Sequence, residues 1–494
     1  MKQFKRLFSG KSDGSIKDSE VPKDTLYQPY EAQEPIETEL DKLDTPPPET
    51  VTEEGKEVEQ EETPIEELFK NVKVDASIVK PISLDQLKGA HEFVIELMKS
   101  NPVFKKFPLQ ENTPSRRDDL PCKRDPNAQV NVWKLLKSNI GRDLSRIAMP
   151  VYVNDPISML QKTAEILEFS YFLKMANHCE DKYMRLVYIM CFFFALNPYS
   201  VDRLKKPFNP MLGETFEFDE NGVKFIAEQV SHHPPISAFH CESDDFIFDG
   251  YYNTKTTISM SGFVVTPKGP FTIKLLRTKE TYTFEKPRTS LHNFIIGSMY
   301  LWYYGDAIIT NQNTKDQIIL NYKAKGWTSA HDYEVDGKVR DASGKTQIQL
   351  VGKWDQSLKV VGKKGEDVTV FSKPELPANA SDNYFFSSFC LNLNHLTPEK
   401  ASSLPPTDSR FRPDQRAYEH GDIPLATEQK LSLEELQRTK RKQLEETKKT
   451  WSPLWFHEFT DDNGEPLYQY NGKYFVLKEM KEWPKNIPNI FGSS

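Results

Sequence analysis

The chain has 494 residues, 37% apolar and 28% charged, with a formal net charge of −8. That balance excludes a general nucleic-acid binder, which carries a basic surplus, and the low apolar share points to a disordered portion beside a folded one. Five widely spaced cysteines (Cys122, Cys179, Cys191, Cys241, Cys390) with no CxxC argue against a disulfide framework or a zinc knuckle and suit a reducing, cytosolic setting.

Residues 1–75 read as a disordered acidic tail. Glu31–Lys70 holds fifteen acidic residues against three basic ones and five prolines, so it repels itself and buries little. The opening MKQFKRLFSGK has no signal-peptide core. Phe4, Leu7 and Phe8 among Lys2, Lys5, Arg6 and Lys11 make a short amphipathic stretch suited to an anionic membrane surface. IEELFKN (65–71) lacks the second aromatic of an acidic-flanked tract that docks on endoplasmic-reticulum receptors, and is not read as one.

Residues 76–114 read as a helical linker, with Leu84, Leu87, Phe93, Val94 and Leu97 at helical spacing. VNVWKLLKSNIG (130–141) places Val132, Leu135, Leu136 and Ile140 along one face beside Trp133, and a glycine closes it. Longer helices are expected at 156–178 and 180–197. The apolar run LVYIMCFFFAL (186–196) has eleven residues where a membrane span needs about 20, so it reads as a buried core helix.

From Thr215 the period changes to two. Phe216 and Phe218 alternate across an Asn221-Gly222 turn with Val223 and Phe225, a hairpin signature. Strand-like runs continue to about residue 372, including 245–252, 256–265, 292–304 and 306–311, separated by turn signals. The fold class is therefore α+β and β-dominated: helices, then a large antiparallel sheet closing into an incomplete barrel (215–372), then a C-terminal subdomain (382–490). That subdomain holds a helix at 425–449 and an aromatic-rich tail with Trp451, Trp455 and Trp483. A barrel of this size has room for a ligand inside.

Three stretches carry candidate chemistry. In EQVSHHPPISAFH (228–240), Pro234 and Pro235 break the strand ladder, so His232 and His233 are free to turn to one side. Metal ligation with His240, a catalytic base beside Ser231, and a plain structural pair all remain open, although neither HExxH nor GxSxG is present. In DRLKKPFNPMLGE (202–214), Pro207, Pro210 and Gly213 rigidify a turn that limits where Lys206 and Asn209 point, a pairing suited to a phosphate. In ATEQKLSLEELQR (426–438), Lys430, Glu434 and Arg438 recur every four residues and share one helix face. They form either a solvated ion-pair ladder or a ligand-facing set.

EQVSHHPP, KPFNPMLGE, SLHNFIIG (290–297) and LPPTDSRFRPDQR (404–416) together make residues 115–490 resemble the oxysterol-binding-protein-related family of lipid transfer proteins. With no strand-rich segment upstream, the chain reads as a short form without an evident pleckstrin-homology domain. The resemblance implies an apolar tunnel holding one lipid, with a lid at about 127–145 carrying Trp133, Leu135, Leu136 and Ile140. It also implies exchange of a sterol, or less readily phosphatidylserine, for phosphatidylinositol 4-phosphate. Lys206, Asn209, His232, His233, Lys430, Glu434 and Arg438 occupy the family's positions around the inositol phosphate. The expectations that follow are a monomeric, non-enzymatic cytoplasmic protein without cofactor or metal. Its partners would be membrane lipids and anionic surfaces, met transiently and at endoplasmic-reticulum contact sites. The second reading is a lipid-dependent sensor or scaffold that moves little lipid.

Overall fold

The structure, a computed structural model, describes residues 90, 92–110, 113–125, 150–258, 262–293, 299–326, 332–362, 365–460, 466–485 and 487–492. The acidic tail, the lid segment with Trp133, Leu135, Leu136 and Ile140, and residues 294–297 of SLHNFIIG lie outside the described residues.

Helix α1 (Glu92–Ser100) buries Val94 and Leu97, and Asn101 caps α2 (Pro102–Lys106) by accepting from Val103 N at 2.9 Å. The stretch expected as one helix from 156 begins instead with a strand, β1 (Asn154–Ser158), paired in parallel with β2 (Lys206–Phe208). Pro156 offers no backbone donor, and the helix starts only where Ser158 and Gln161 form a capping box. Helix α3 (Met159–Ala164), a 3-10 turn and α4 (Tyr171–His178) follow. Helix α5 (Lys182–Phe194) is capped by Asp181, whose carboxylate accepts from Tyr183 N and Met184 N at 2.8 and 2.9 Å. With its following turn, Lys182–Val201 is as long and apolar as a membrane span, but 72% of its most apolar 18-residue window is buried inside the protein.

The sheet has fourteen strands. Strands β3 (Thr215–Glu220), β4 (Val223–His232), β5 (Pro235–Glu242), β6 (Phe246–Ile258) and β7 (Gly262–Lys268) run as an antiparallel meander. Strands β8 (Phe271–Leu275) and β9 (Thr281–Glu285) form a hairpin that bridges β6 to β11 (Tyr300–Asn311), and β10 (Arg288–His292) links β7 to β11. The order then continues through β12 (Gln317–Tyr322), β13 (Glu334–Arg340), β14 (Thr346–Lys353), β15 (Ser357–Val360) and β16 (Val368–Ser372). Among the described residues the edge strands β3 and β16 do not pair with each other, so the barrel stays incomplete.

Two long strands replace pairs of shorter ones expected from sequence, because each serves two partners. β6 pairs with β8 over Phe246–Asp249 and with β7 over Asn253–Ile258. β11 leaves β10 after Tyr304 and meets β9 from Ile308, and the change falls at Gly305, whose φ of +83° permits the bend.

Both faces of β4 are buried, and they feed separate cores. Phe225 and Ala227 face inward, where α5 fills the concave side: Phe193 stacks on Phe284 at 3.8 Å and Phe192 meets Phe248 edge-on at 5.4 Å. Each such buried ring contributes about 1.5–3 kcal/mol. Ile226 and Val230 face outward and bury Trp455, Phe456 and Tyr474 from the C-terminal subdomain. Between them Glu228 accepts from Leu454 N and Trp455 N at 2.8 and 2.9 Å, and burial pushes its carboxyl up to about 7. The subdomain comprises α6 (Ser388–Leu393), α7 (Pro398–Ser403), α8 (Pro413–Glu419), the 24-residue α9 (Ile423–Glu446) and α10 (Tyr474–Met480). It also holds a hairpin, β17 (Phe456–Thr460) with β18 (Pro466–Tyr470), where only an aromatic tail was expected.

Candidate functional site

The loop KPFNPMLGE forms one wall. Its first residues are β2, held to β1 where Asn154 Nδ2 donates to the Pro207 carbonyl at 3.0 Å. Arg412 fastens the rest. Its Nη1 donates to the Asn209 carbonyl at 2.8 Å and to Glu214 at 2.9 Å, while its Nε and Nη2 engage Asp414. Glu214 in turn accepts from Met211 N at 2.9 Å and from Ser409 Oγ at 2.7 Å. Arg412, Glu214 and Asp414 are all buried. Gly213 closes the loop at φ +79°, donating to the Gln229 carbonyl at 2.9 Å, with the Trp451 ring 2.7 Å from where a Cβ would sit.

This frame leaves Lys206 pointing into a crowded but accessible space. Burial and the neighbouring Lys430 and Arg412 charges push its ammonium down to about 8, against an upward pull from Glu434. Asn209 is exposed at the rim and engages Arg412 through its carbonyl alone among the described residues.

The histidine pair ends β4 beside this loop. The register makes His232 the partner of Pro235, and the His232 and His233 rings lie 4.6 Å apart at 68°. His233 is exposed, while His232 Nδ1 is buried without a hydrogen-bond partner among the described residues. Burial first, then His233, Arg441 and Arg412, push the His232 imidazole down to about 4, so it is neutral at pH 7. His240 is engaged elsewhere, bonded to Asp249 at 2.6 Å and stacked on Tyr470. Among the described residues no cluster of three or more His, Cys, Asp or Glu side chains has a metal-binding arrangement.

Helix α9 is the opposite wall. Lys430 donates to Glu434, and Arg438 lies 3.7 Å from Glu434 and 2.9 Å from Glu435. The ladder is therefore real, and its Lys430–Glu434 end faces the site, since both charges act on Lys206. Arg438 stands at the rim with 56% of its side chain exposed. Beyond it, the C-terminal half of α9 borders a half-open cleft of about 280 Å³ lined by Met211, His232, Arg441, Leu444, Trp451 and Ile490. Sequence reasoning gave no role to Arg412, Arg441 or Trp451. Arg412 lies inside the LPPTDSRFRPDQR match, but what it fastens is some two hundred residues away.

Inward from these residues, β6 turns Phe246, Phe248 and Tyr252 to the concave face. Tyr252 and Tyr303 pack half-buried against that core, and burial raises the phenol pKa of both. The cationic cluster and the aromatic inner face of the sheet thus belong to one folded unit.

A family model described as oxysterol-binding protein matches residues 131–479. The human oxysterol-binding protein-related protein 7 is 38% identical over 74% of this chain and 44% of its own length. The Arabidopsis thaliana oxysterol-binding protein-related protein 1B is 36% identical over 76% of this chain and 77% of its own. The chain thus spans under half the length of the human relative. Among solved structures, the Osh1 ORD domain in complex with ergosterol superposes with a TM-score of 0.69 at 31% identity, covering 81% of this chain and 98% of that one. The Osh3 ORD in complex with PI(4)P from Saccharomyces cerevisiae gives 0.67 at 31%, covering 76% and 99%. With its fold, its sequence and most of its length matched in this way, the chain belongs to the oxysterol-binding protein family.

Proposed function

We propose that this protein is a lipid carrier that exchanges a sterol for phosphatidylinositol 4-phosphate between membranes, holding one lipid at a time. The observation that carries this reading is the convergence of Lys206, Lys430, His232 and Arg412 from four separate stretches at the mouth of an aromatic interior. Similar chains in complex with ergosterol and with PI(4)P support both cargoes.

In this reading the phosphorylated inositol sits between the two walls. Lys206, Lys430 and Arg438 supply charge, and Asn209, His232 and His233 supply further donors. Charge-assisted hydrogen bonds contribute about 1.5–3 kcal/mol each, so a few of them hold a headgroup after desolvation is subtracted. Glu434 keeps Lys430 and Arg438 in place and limits repulsion while the site is empty. The lipid tail needs the interior, because each CH₂ left in water costs about 0.8 kcal/mol. The cycle makes and breaks no covalent bond, and the protein works from the cytosol as a transient visitor to membrane surfaces.

A phosphate dianion beside Lys206 favours its charged form and raises its pKa above about 8, so binding at higher pH takes up a proton. Uptake of the phosphoinositide is therefore expected to weaken as pH rises from about 8 toward about 9.5, and Lys206→Arg flattens that profile. The deciding test is extraction of phosphatidylinositol 4-phosphate from liposomes by the purified protein beside the His232→Ala/His233→Ala variant. Extraction by the wild type alone supports the clamp. Binding of the headgroup without movement of lipid between vesicles favours a sensor or scaffold instead.

A further inference from the structure

Strand β9 turns Tyr282 and Phe284 inward, 1% and 6% exposed, and the same alternation carries one step past its end to Lys286. The Lys286 ammonium nitrogen is sealed from solvent and has no hydrogen-bond partner among the described residues. It lies 3.2 Å from the centroid of the Phe271 ring and 4.7 Å from that of Tyr252. Phe271 belongs to the same inner face, edge-on to Phe239, Phe248 and Tyr252. Burial with no neighbouring charge pushes the lysine well below its ordinary pKa. Ring faces offset only a small share of the cost of stripping an ammonium of water, and buried polar nitrogens are normally paired. Lys286 therefore has a bonding capacity that its aromatic surroundings leave unused.

We propose that Lys286 reads the cargo, its Nζ swinging off the Phe271 ring to hydrogen-bond the single hydroxyl of a sterol held inside the barrel. This rests on the lipid-carrier reading above and adds to it the residue that selects the second lipid. The surroundings choose between the two cargo classes. A sterol brings one hydroxyl on a rigid apolar body, which one isolated nitrogen among aromatic rings satisfies. A phosphoserine headgroup brings a phosphate, a carboxylate and an ammonium, and needs several partners. Phe271 and Tyr252 instead present ring faces to the nitrogen.

The test uses the full-length protein and Lys286→Met, which keeps the length of the stem and removes the nitrogen. Phosphatidylcholine vesicles carry cholesterol, its analogue lacking the hydroxyl, phosphatidylserine, or phosphatidylinositol 4-phosphate, and uptake of each is measured. The wild type is expected to prefer cholesterol over the deoxy analogue by about tenfold. K286M is expected to lose that preference, to keep its phosphoinositide uptake and to melt no lower than the wild type. Lys286→Gln, which restores a donor, should recover part of the preference. The inference is overturned if K286M discriminates as well as the wild type, or if its loss falls on phosphatidylserine. Equal loss of cholesterol and phosphoinositide with a lowered melting temperature also overturns it, because the lysine is then a packing residue. A wild type that takes up the phosphoinositide but no sterol sinks this inference and the sterol half of the exchange, and leaves the headgroup site standing. One that takes up neither sinks the carrier reading as well.

Discussion

The two walls of the clamp are built in opposite ways. The loop wall is fastened by buried charges: Arg412 alone reaches Asn209, Glu214 and Asp414. The helix wall is α9, where Ala426 and Leu433 alone are buried among 24 residues and the ligand-facing side chains are tied mainly to each other. One wall is therefore fixed by many interior contacts, and the other is held by few. In the exchange cycle proposed above, the fixed wall would give recognition, and the wall held by few contacts would let the lipid leave.

The sharpest way to break this contrast is Arg412→Met. It strands Glu214 and Asp414 in the interior and is expected to cost about 3–5 kcal/mol in urea unfolding, with headgroup uptake lost. A loss under about 1 kcal/mol would mean that the loop is held by something else. Next, Leu433→Ala removes the main anchor of the helix wall and is expected to cost about 2–4 kcal/mol. Hydrogen exchange should then rise across 423–446 while the sheet stays protected. If the sheet loosens equally, the walls are one unit.

Glu228 sharpens the comparison from the strand that carries His232. Its folded pKa of about 7 lies above the ordinary 4.5, so the stability it contributes is complete below 4.5 and is lost as pH rises through 7. Between pH 5 and 7.5 that loss is on the order of 2 kcal/mol, and Glu228→Gln should flatten the dependence in a thermal-melt series. The smallest stability effect is expected on the soft wall. Glu434→Gln should change stability by under about 1 kcal/mol, since its ion pairs are part-exposed, yet weaken uptake of the phosphoinositide several-fold. A large stability loss there would place α9 with the fixed wall.

Much of this was legible in the sequence because its signals are local. Period-two alternation from Thr215 gives the sheet, and four short motifs point to the mouth. What stayed hidden depends on distance along the chain or on neighbours in space. No periodicity announces that Arg412 holds Asn209, or that Trp451 lies over Gly213. Lys286 reads as an ordinary polar residue after a strand until Phe271 and Tyr252 are seen around it. The β17–β18 hairpin did carry a signal, Asn463-Gly464 between FHEFT and PLYQY, which the cluster of tryptophans overshadowed. Gly305 misled in the other direction: a turn residue by type, it marks a change of neighbour within one strand.

The Arg412 fastening also sets a schedule for the nascent chain. Asn209 and Arg412 are separated by 203 positions, and Glu228 and Leu454 by 226. At about 5–20 residues per second, the ribosome needs roughly 10–45 s to traverse such a gap. Through that interval the histidines and the KPFNP turn have been made but not secured. The two walls are thus among the last parts of the molecule to be secured, and a chain still being translated does not yet hold the proposed headgroup site.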